Sequence, residues 1–353
     1  MLRLGSTGAA VAEVRARLAH LGLITDSDPT VNNTFDADVD NAVRIFQQER
    51  GITVDGVVGP ETFRRLDEAR WQLGDRVLAF TAGHVMIGDD VTELQRRLNQ
   101  LGFNAGRPDG IFGPATDGAL REFQRGVGVS ADGTCGLDTL RAFERLSRSV
   151  VGGDSGALRE HAHLASLQTG IADKVVVLDP GDSPFPEITY AIAVRIEGRL
   201  AALGTQVILT RPARTGNDDQ SITVMTPAQR ANFANEMAAD LVISLHVDQS
   251  ESSKPNGIAL FYYGNPGGGN FSPSGKNLAD AINEELVSRT DRKDCRTHPR
   301  TWDLLRLTTM PAVRIDLGYM SNLDDSKRLQ SDAFHDAIAQ GVAAAITSFC
   351  APR

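Results

Sequence analysis

Three apolar runs of this sequence end in residues that can ligate a metal or move a proton. Val175-Val176-Val177-Leu178 leads into Asp179-Pro180-Gly181-Asp182, Asp240-Leu241-Val242-Ile243-Ser244-Leu245 leads into His246-Val247-Asp248, and Ala312–Leu317 carries Asp316. Glu187 follows Asp182 closely. Carboxylates and a neutral imidazole are the donors a divalent cation such as zinc accepts, and the same groups act as general bases. The plainer alternative is a polar, hydrated pocket for Asp182 and Asp316, and for His246 a hydrogen-bonded histidine at a strand end. Asp294-Cys295-Arg296-x-His298 offers Cys and His at i, i+3, a pair with no further ligand beside it. His161 and His163 stand at i, i+2 in a predicted short helix near Leu158–Leu167, where they cannot face one another and are expected at the surface.

The elements that must position these residues follow from the pattern after Lys174. Short apolar runs of strand type alternate with amphipathic segments of helix length. Strands are expected at 175–178, 206–211, 240–246, 257–263 and 312–317, and helices at 190–203, 228–239, 274–289 and 332–349. Alternating β and α elements imply a three-layer α/β/α domain around a mostly parallel sheet. In such sheets chemistry gathers at the carboxyl ends of the strands, which is where Asp182, His246 and Asp316 fall.

The ordered stretches Val-Leu-Asp-Pro-Gly (177–181), Thr-Arg (210–211), Ala-Asp-Leu-Val-Ile-Ser-Leu-His (239–246) and Pro-Ala-Val-x-Ile-x-Leu-Gly-Tyr-x-Ser-Asn (311–322) resemble the zinc-dependent N-acetylmuramoyl-L-alanine amidases of the amidase 3 family. The resemblance implies zinc held by a His after Asp-Pro-Gly, a Glu at the start of the next helix and the His of the Ser-x-His strand, with a Glu on the last strand as base. Zinc would then polarise the scissile carbonyl and acidify its bound water. This chain keeps only His246 in identity. Asp182 stands in the first ligand position. The second position falls on Phe185 or, two residues late, on Glu187. The base becomes Asp316, a carboxylate about 1.5 Å shorter in reach, and about 1 Å of misplacement can cost on the order of 100-fold in rate. Ser183-Pro184-Phe185-Pro186 replaces the longer glycine-rich loop, its two prolines restricting the backbone. The resemblance therefore implies a degenerate metal set, His246, Asp182 and Glu187, and an impaired catalytic Asp316. No cofactor is expected, or zinc if the site works.

The first half of the chain is a module written twice. Val11, Val14, Leu18 and Leu21-Gly22 recur as Val91, Leu94, Leu98 and Leu101-Gly102. Phe46-Gln47, Asp55-Gly56, Gly59 and Thr62 recur as Phe123-Gln124, Asp132-Gly133, Gly136 and Thr139. Helical spacing, glycine stops and an Asp-Gly turn predict three short helices per copy. Phe-Gln followed by Asp-Gly-x-x-Gly-x-x-Thr resembles the type 1 peptidoglycan-binding domain. The second copy also has that family's middle motif, Asp109-Gly110-Ile111-Phe112-Gly113-Pro114-Ala115-Thr116, where the first has only Phe35-Asp36. The resemblance offers Phe46, Asp55, Phe123 and Asp132 as binding positions, whereas core and turn chemistry accounts for them as mainly structural. The organisation expected is a first module at 1–72, a second at 84–146, a linker at 147–173 and the amidase-like domain at 174–353.

Composition narrows the partners. The chain has 353 residues and a formal net charge of −9, which opposes nucleic-acid binding. No run of about 20 apolar residues is present, and the start at Met1-Leu2-Arg3-Leu4-Gly5 lacks a secretory h-region. Cys135, Cys295 and Cys350 are odd in number and far apart, which fits a reducing, cytoplasmic setting. Two such modules ahead of a degenerate amidase domain, with Asp294–Thr308, resemble the CwlM-type family of actinobacteria. That resemblance implies a phosphorylated regulator of peptidoglycan precursor synthesis, with a Ser/Thr kinase and a MurA-type enolpyruvyl transferase as partners. A working zinc amidase, or a sensor that binds peptidoglycan fragments or lipid-linked precursor, are the alternatives.

Overall fold

The computed structural model describes residues 1–25, 33–147, 164–182, 184–212, 224–250, 252–265 and 271–352. His161, His163 and most of the predicted linker helix lie outside the described residues; 164–167 are helical. The chain divides into two compact units, Met1–Arg159 and Glu160–Arg353.

The first unit holds both modules. The first copy is α1 (Ala9–His20), α2 (Ala37–Arg50) and α3 (Pro60–Glu68); the second is β1 (Leu78–Ala79), α4 (Asp89–Gln100), α5 (Pro114–Val127), β2 (Thr134–Cys135) and α6 (Leu137–Ser147). Helix ends follow the local sequence. Asp36 caps α2 by accepting from the Val39 N–H, and Gly51 ends it at φ 63°, a left-handed turn that glycine adopts without a Cβ penalty. Each copy closes its own apolar core, with Val11, Val14, Leu18, Phe35 and Phe46 in the first and Val91, Leu94, Leu98, Phe112 and Phe123 in the second. The second core also takes in Leu73, Leu78 and Phe80. β1 pairs antiparallel with β2, so this module reaches back before residue 84.

The second unit is the α/β/α domain. Its elements are β3 (Val175–Pro180), α7 (Pro186–Ala201), β4 (Gln206–Leu209), α8 (Pro227–Glu236), β5 (Leu241–Asp248), β6 (Ile258–Tyr263), α9 (Pro273–Thr290), β7 (Asp294–Arg300), α10 (Asp303–Leu307), β8 (Ala312–Tyr319), α11 (Leu323–Leu329) and α12 (Asp332–Phe349). The six strands lie in the order β4-β3-β5-β8-β6-β7. Every pair is parallel except β6 with β8. Side chains alternate between the faces. Val176, Leu178, Ile243, Leu245, Val313 and Ile315 share one core with residues of α7, α9 and α12. Val177, Val242, Phe261 and Ala312 share the other with residues of α8 and α10.

β7, α10 and α11 were not expected from the pattern. β7 reads Asp-Cys-Arg-Thr-His-Pro-Arg, with no apolar alternation, and it holds Pro299. An edge strand tolerates both, because its outer side needs no ladder donors. Arg296 takes φ 67° where the register with β6 shifts, a bulge that the sequence does not announce.

Candidate functional site

The polar row expected at the strand ends lies on one face of the sheet. Asp179 pairs in register with Ser244, Ser244 with Arg314 and His246 with Asp316. Asp179, fully buried, anchors this row. Its Oδ1 accepts from Thr210 Oγ1 at 2.6 Å and from Arg230 Nη1 at 3.3 Å, and its Oδ2 from Ser244 Oγ at 2.6 Å. Ser244 Oγ also lies 2.9 Å from His246 Nε2. With the serine proton donated to Asp179, the network assigns Nε2 of His246 as the donor to Ser244, so Nδ1 keeps the lone pair. Gly181 is needed beside it. A Cβ there would stand 2.8 Å from the Leu245 carbonyl oxygen and 2.9 Å from His246 Nδ1.

The loop after Gly181 is fastened by Arg211. Its guanidinium donates to the carbonyls of Pro180, Gly181 and Pro186, at 2.9, 3.2 and 2.6 Å. Thr189 Oγ1 adds a 2.6 Å bond to the Gly181 carbonyl. The Thr-Arg motif therefore works as a clamp on the backbone: Thr210 holds Asp179 and Arg211 holds the turn. Asp182 faces Arg230, whose Nη1 lies 3.7 Å away. Phe185 is the N-cap residue of α7, gives no side-chain cap, and packs partly buried against the apolar core. Glu187 lies in the first turn of α7 and is exposed.

Asp316 is bound within its own strand. Arg314, two residues earlier on the same face, donates from Nε to Asp316 Oδ1 at 2.7 Å and places Nη2 3.7 Å from Asp248 Oδ2. Burial, then the charge of Asp316, pushes the Asp248 carboxyl up to about 6. Burial pulls the Arg314 pKa down, and the charges of Asp316, Asp248 and Asp179 more than reverse this, so it stays firmly cationic. Burial, then Arg314 and Arg230, holds the His246 imidazole well below its ordinary pKa.

These positions do not fit zinc. Among the described residues, no three His, Cys, Asp or Glu side chains are placed to share one ion. Asp182 is turned to a guanidinium, Phe185 is apolar, Glu187 is exposed, and two guanidiniums act on the one retained imidazole. A dication beside Arg314 and Arg230 would meet like charge at short range. The Cys295 and His298 pair on β7 gains no third ligand among the described residues either. Cys295 Sγ donates to the Asn256 carbonyl and His298 Nε2 lies 2.7 Å from the Cys295 carbonyl. The sequence reading passed over Arg230 and Arg314. The signal for Arg314 was a charged residue inside Val313-Arg314-Ile315-Asp316, where period-two alternation puts it on the face of Asp316.

In the modules, Phe46 and Phe123 are buried in the cores. Asp55 and Asp132 serve the turns. Gln124 Nε2 donates to Asp132 Oδ1, the Thr134 carbonyl and Thr139 Oγ1, and its Oε1 accepts from the Gly133 N–H. Gln47 makes the same set with Asp55, Val57, Thr62 and Gly56. A third cradle joins Gln95 to Asp109, Ile111 and Thr116. Its counterpart in the first copy is Arg15, bound to the Thr34 carbonyl and Asp36. The missing middle motif is thus an exchange of a glutamine cradle for an ion pair.

Comparison with known proteins follows the same division. The family described as N-acetylmuramoyl-L-alanine amidase matches residues 186–348, beginning past Asp179–Phe185. The putative peptidoglycan binding domain matches residues 7–66 and 87–143. The chain is 43% identical over 367 aligned positions to the N-acetylmuramoyl-L-alanine amidase CwlM of Mycobacterium tuberculosis, covering 98% of this chain and 88% of that protein. It is 25% identical over 187 positions to the amidase LytC of Bacillus subtilis, covering 50% of this chain and 35% of LytC. Among solved structures, the catalytic domain of the amidase CwlV of Bacillus (Paenibacillus) polymyxa aligns with a TM-score of 0.43 and 26% identity, covering 50% of this chain and 97% of that one. No helix among the described residues is long and apolar enough to cross a membrane.

Proposed function

The chain belongs to the N-acetylmuramoyl-L-alanine amidase family in its CwlM-type form, with two peptidoglycan-binding domains ahead of the amidase-like one, and from that premise we propose that it is a catalytically impaired member. It acts as a regulator of peptidoglycan precursor synthesis through protein–protein contacts. The observation that carries this reading is the Arg314 guanidinium bound to Asp316 at 2.7 Å, on the sheet face that also holds His246. In a hydrolytic site Asp316 would need a free carboxylate aimed at a metal-bound water; here its charge is neutralised by a neighbour two residues away. The partners that fit the family resemblance are a MurA-type enolpyruvyl transferase and a Ser/Thr kinase, in the cytoplasm.

Three measurements on the purified full chain test this. Metal analysis after dialysis against zinc is expected to find well under one zinc per chain, and incubation with muropeptides is expected to release no stem peptide. Addition of the chain to a MurA-type transferase is expected to raise its turnover. One zinc per chain together with chelator-sensitive peptide release overturns the impaired reading in favour of a working amidase; unchanged transferase turnover overturns the regulatory one.

A further inference from the structure

Arg300 is a half-buried cation of this domain that makes no ion pair among the described residues. It stands at the end of β7, and among those residues its side chain has one hydrogen bond, from Nη1 to the Pro299 carbonyl at 3.0 Å. Aromatic rings approach it instead: its Cζ lies 5.4 Å from the Phe261 ring centroid and 5.9 Å from that of Trp302. Trp302 also takes Arg314, whose Cζ lies 4.5 Å from the indole centroid. The indole thus contacts two guanidiniums above Phe261, whose ring centroid is 4.8 Å away.

A desolvated cation without a counter-charge is costly to a fold. Burial already pulls the Arg300 pKa down, with only the charge of Asp316 acting against it. Among the described residues only Nη1 of this guanidinium has a partner, the Pro299 carbonyl, and the remaining N–H groups of an arginine are the donors that grip a planar oxyanion through two parallel hydrogen bonds. The apolar surfaces of Trp302 and Phe261 suit the uncharged part of such a ligand.

We propose that Arg300, with Arg314 across Trp302, forms a binding subsite for the carboxylate of a ligand, on the same sheet face as His246 and Asp316. The proposal rests on the impaired-site reading and names what that site holds in place of a reaction. Charge selects carboxylate over phosphate. Asp316 and Asp248 lie close by, so a dianion meets more repulsion than a monoanion. Asp316 engages Arg314 and not Arg300, which leaves the Arg300 fork for the ligand.

Titration calorimetry with the full chain tests this, using N-acetylmuramoyl-L-alanine, its C-terminal amide and inorganic phosphate. The acid is expected to bind roughly 10- to 100-fold more tightly than the amide, the range for charge-assisted pairing, and phosphate more weakly than the acid. Arg300→Gln is expected to bring the acid down to the affinity of the amide, and Arg300→Lys to restore only part of the difference. Equal binding of acid and amide by the unaltered chain, which depends on no variant folding, overturns the proposal, as does phosphate binding at least as tightly as the acid. If zinc uptake is absent but acid and amide bind alike, only this proposal falls. Stoichiometric zinc overturns it together with the reading beneath it.

Discussion

Replacing Arg314 by methionine removes the cation from a carboxylate pair, and the cost should depend on pH. Arg314 is 22% exposed in its side chain and Asp316 7%, so Asp316 would keep a largely buried charge with its direct partner gone. Breaking a buried pair in this way costs about 3–5 kcal/mol at full burial. Asp248, 36% exposed, retains solvent screening, which lowers the expectation to about 2–3 kcal/mol at pH 8. Asp248 can also take up a proton. Asp248 already sits at about 6, raised from an ordinary 3.8. A folded acid with a raised pKa holds a proton that the unfolded chain has released, so its contribution is full at low pH and is lost as pH rises through the folded pKa. Without Arg314 that pKa moves higher, and protonation protects the variant further up the scale. The penalty at pH 5 should therefore fall to about 1 kcal/mol. For a unit of this size each kcal/mol shifts Tm by about 2–4 °C. Scanning calorimetry should thus show a drop of about 4–12 °C at pH 8 and about 2–4 °C at pH 5. An equal drop at both pH values, or a larger one at pH 5, would refute the coupling of Arg314 to Asp248 and Asp316.

Other expectations follow from the same geometry. The C2 proton of His246 should show no titration between pH 8 and pH 5 by NMR, because burial and two guanidiniums hold it neutral. Its contribution to stability runs opposite to that of Asp248, being lost as pH falls below the unfolded value near 6.5; a midpoint close to 6.5 in the folded protein would remove the electrostatic argument against a metal there. Gln124→Ala leaves the Gly133 N–H and the Thr139 and Asp132 oxygens without their shared partner, and should destabilise the second module by about 2–4 kcal/mol in urea unfolding. Gly181→Ala forces a methyl against the Leu245 carbonyl and His246, and should cost about 1–3 kcal/mol in the same measurement, with a changed His246 spectrum. An unshifted His246 resonance would place the imidazole elsewhere than against Gly181.

Much of the architecture was legible because its signals are local. Helical spacing with a glycine stop marks α1 and α4, and an apolar run marks β3, β5 and β8, since each element needs one buried face or two. β7 was invisible: its stability comes from pairing with β6 at the sheet edge, and nothing in Asp294–Arg300 alternates. The same holds for α10, a five-residue helix whose residues Leu304 and Leu305 join the core below Trp302.

The residue types toward the carboxyl ends of the strands were set by sequence alone: Asp182 follows β3, and His246 and Asp316 lie in the second halves of β5 and β8. Sequence also determined the doubled module, since Phe-Gln and Asp-Gly recur in register. What those residues do was decided by tertiary contact. Asp182 is turned to Arg230, from a helix far along the chain. Arg314 and Asp316 meet because one strand projects both to one face, and Asp248 joins them from β5. Among the described residues Arg300 makes no ion pair, and the bulged edge strand sets it beside Phe261 and Trp302. Charge pairing depends on distances of a few ångströms between distant residues, and no local pattern encodes those.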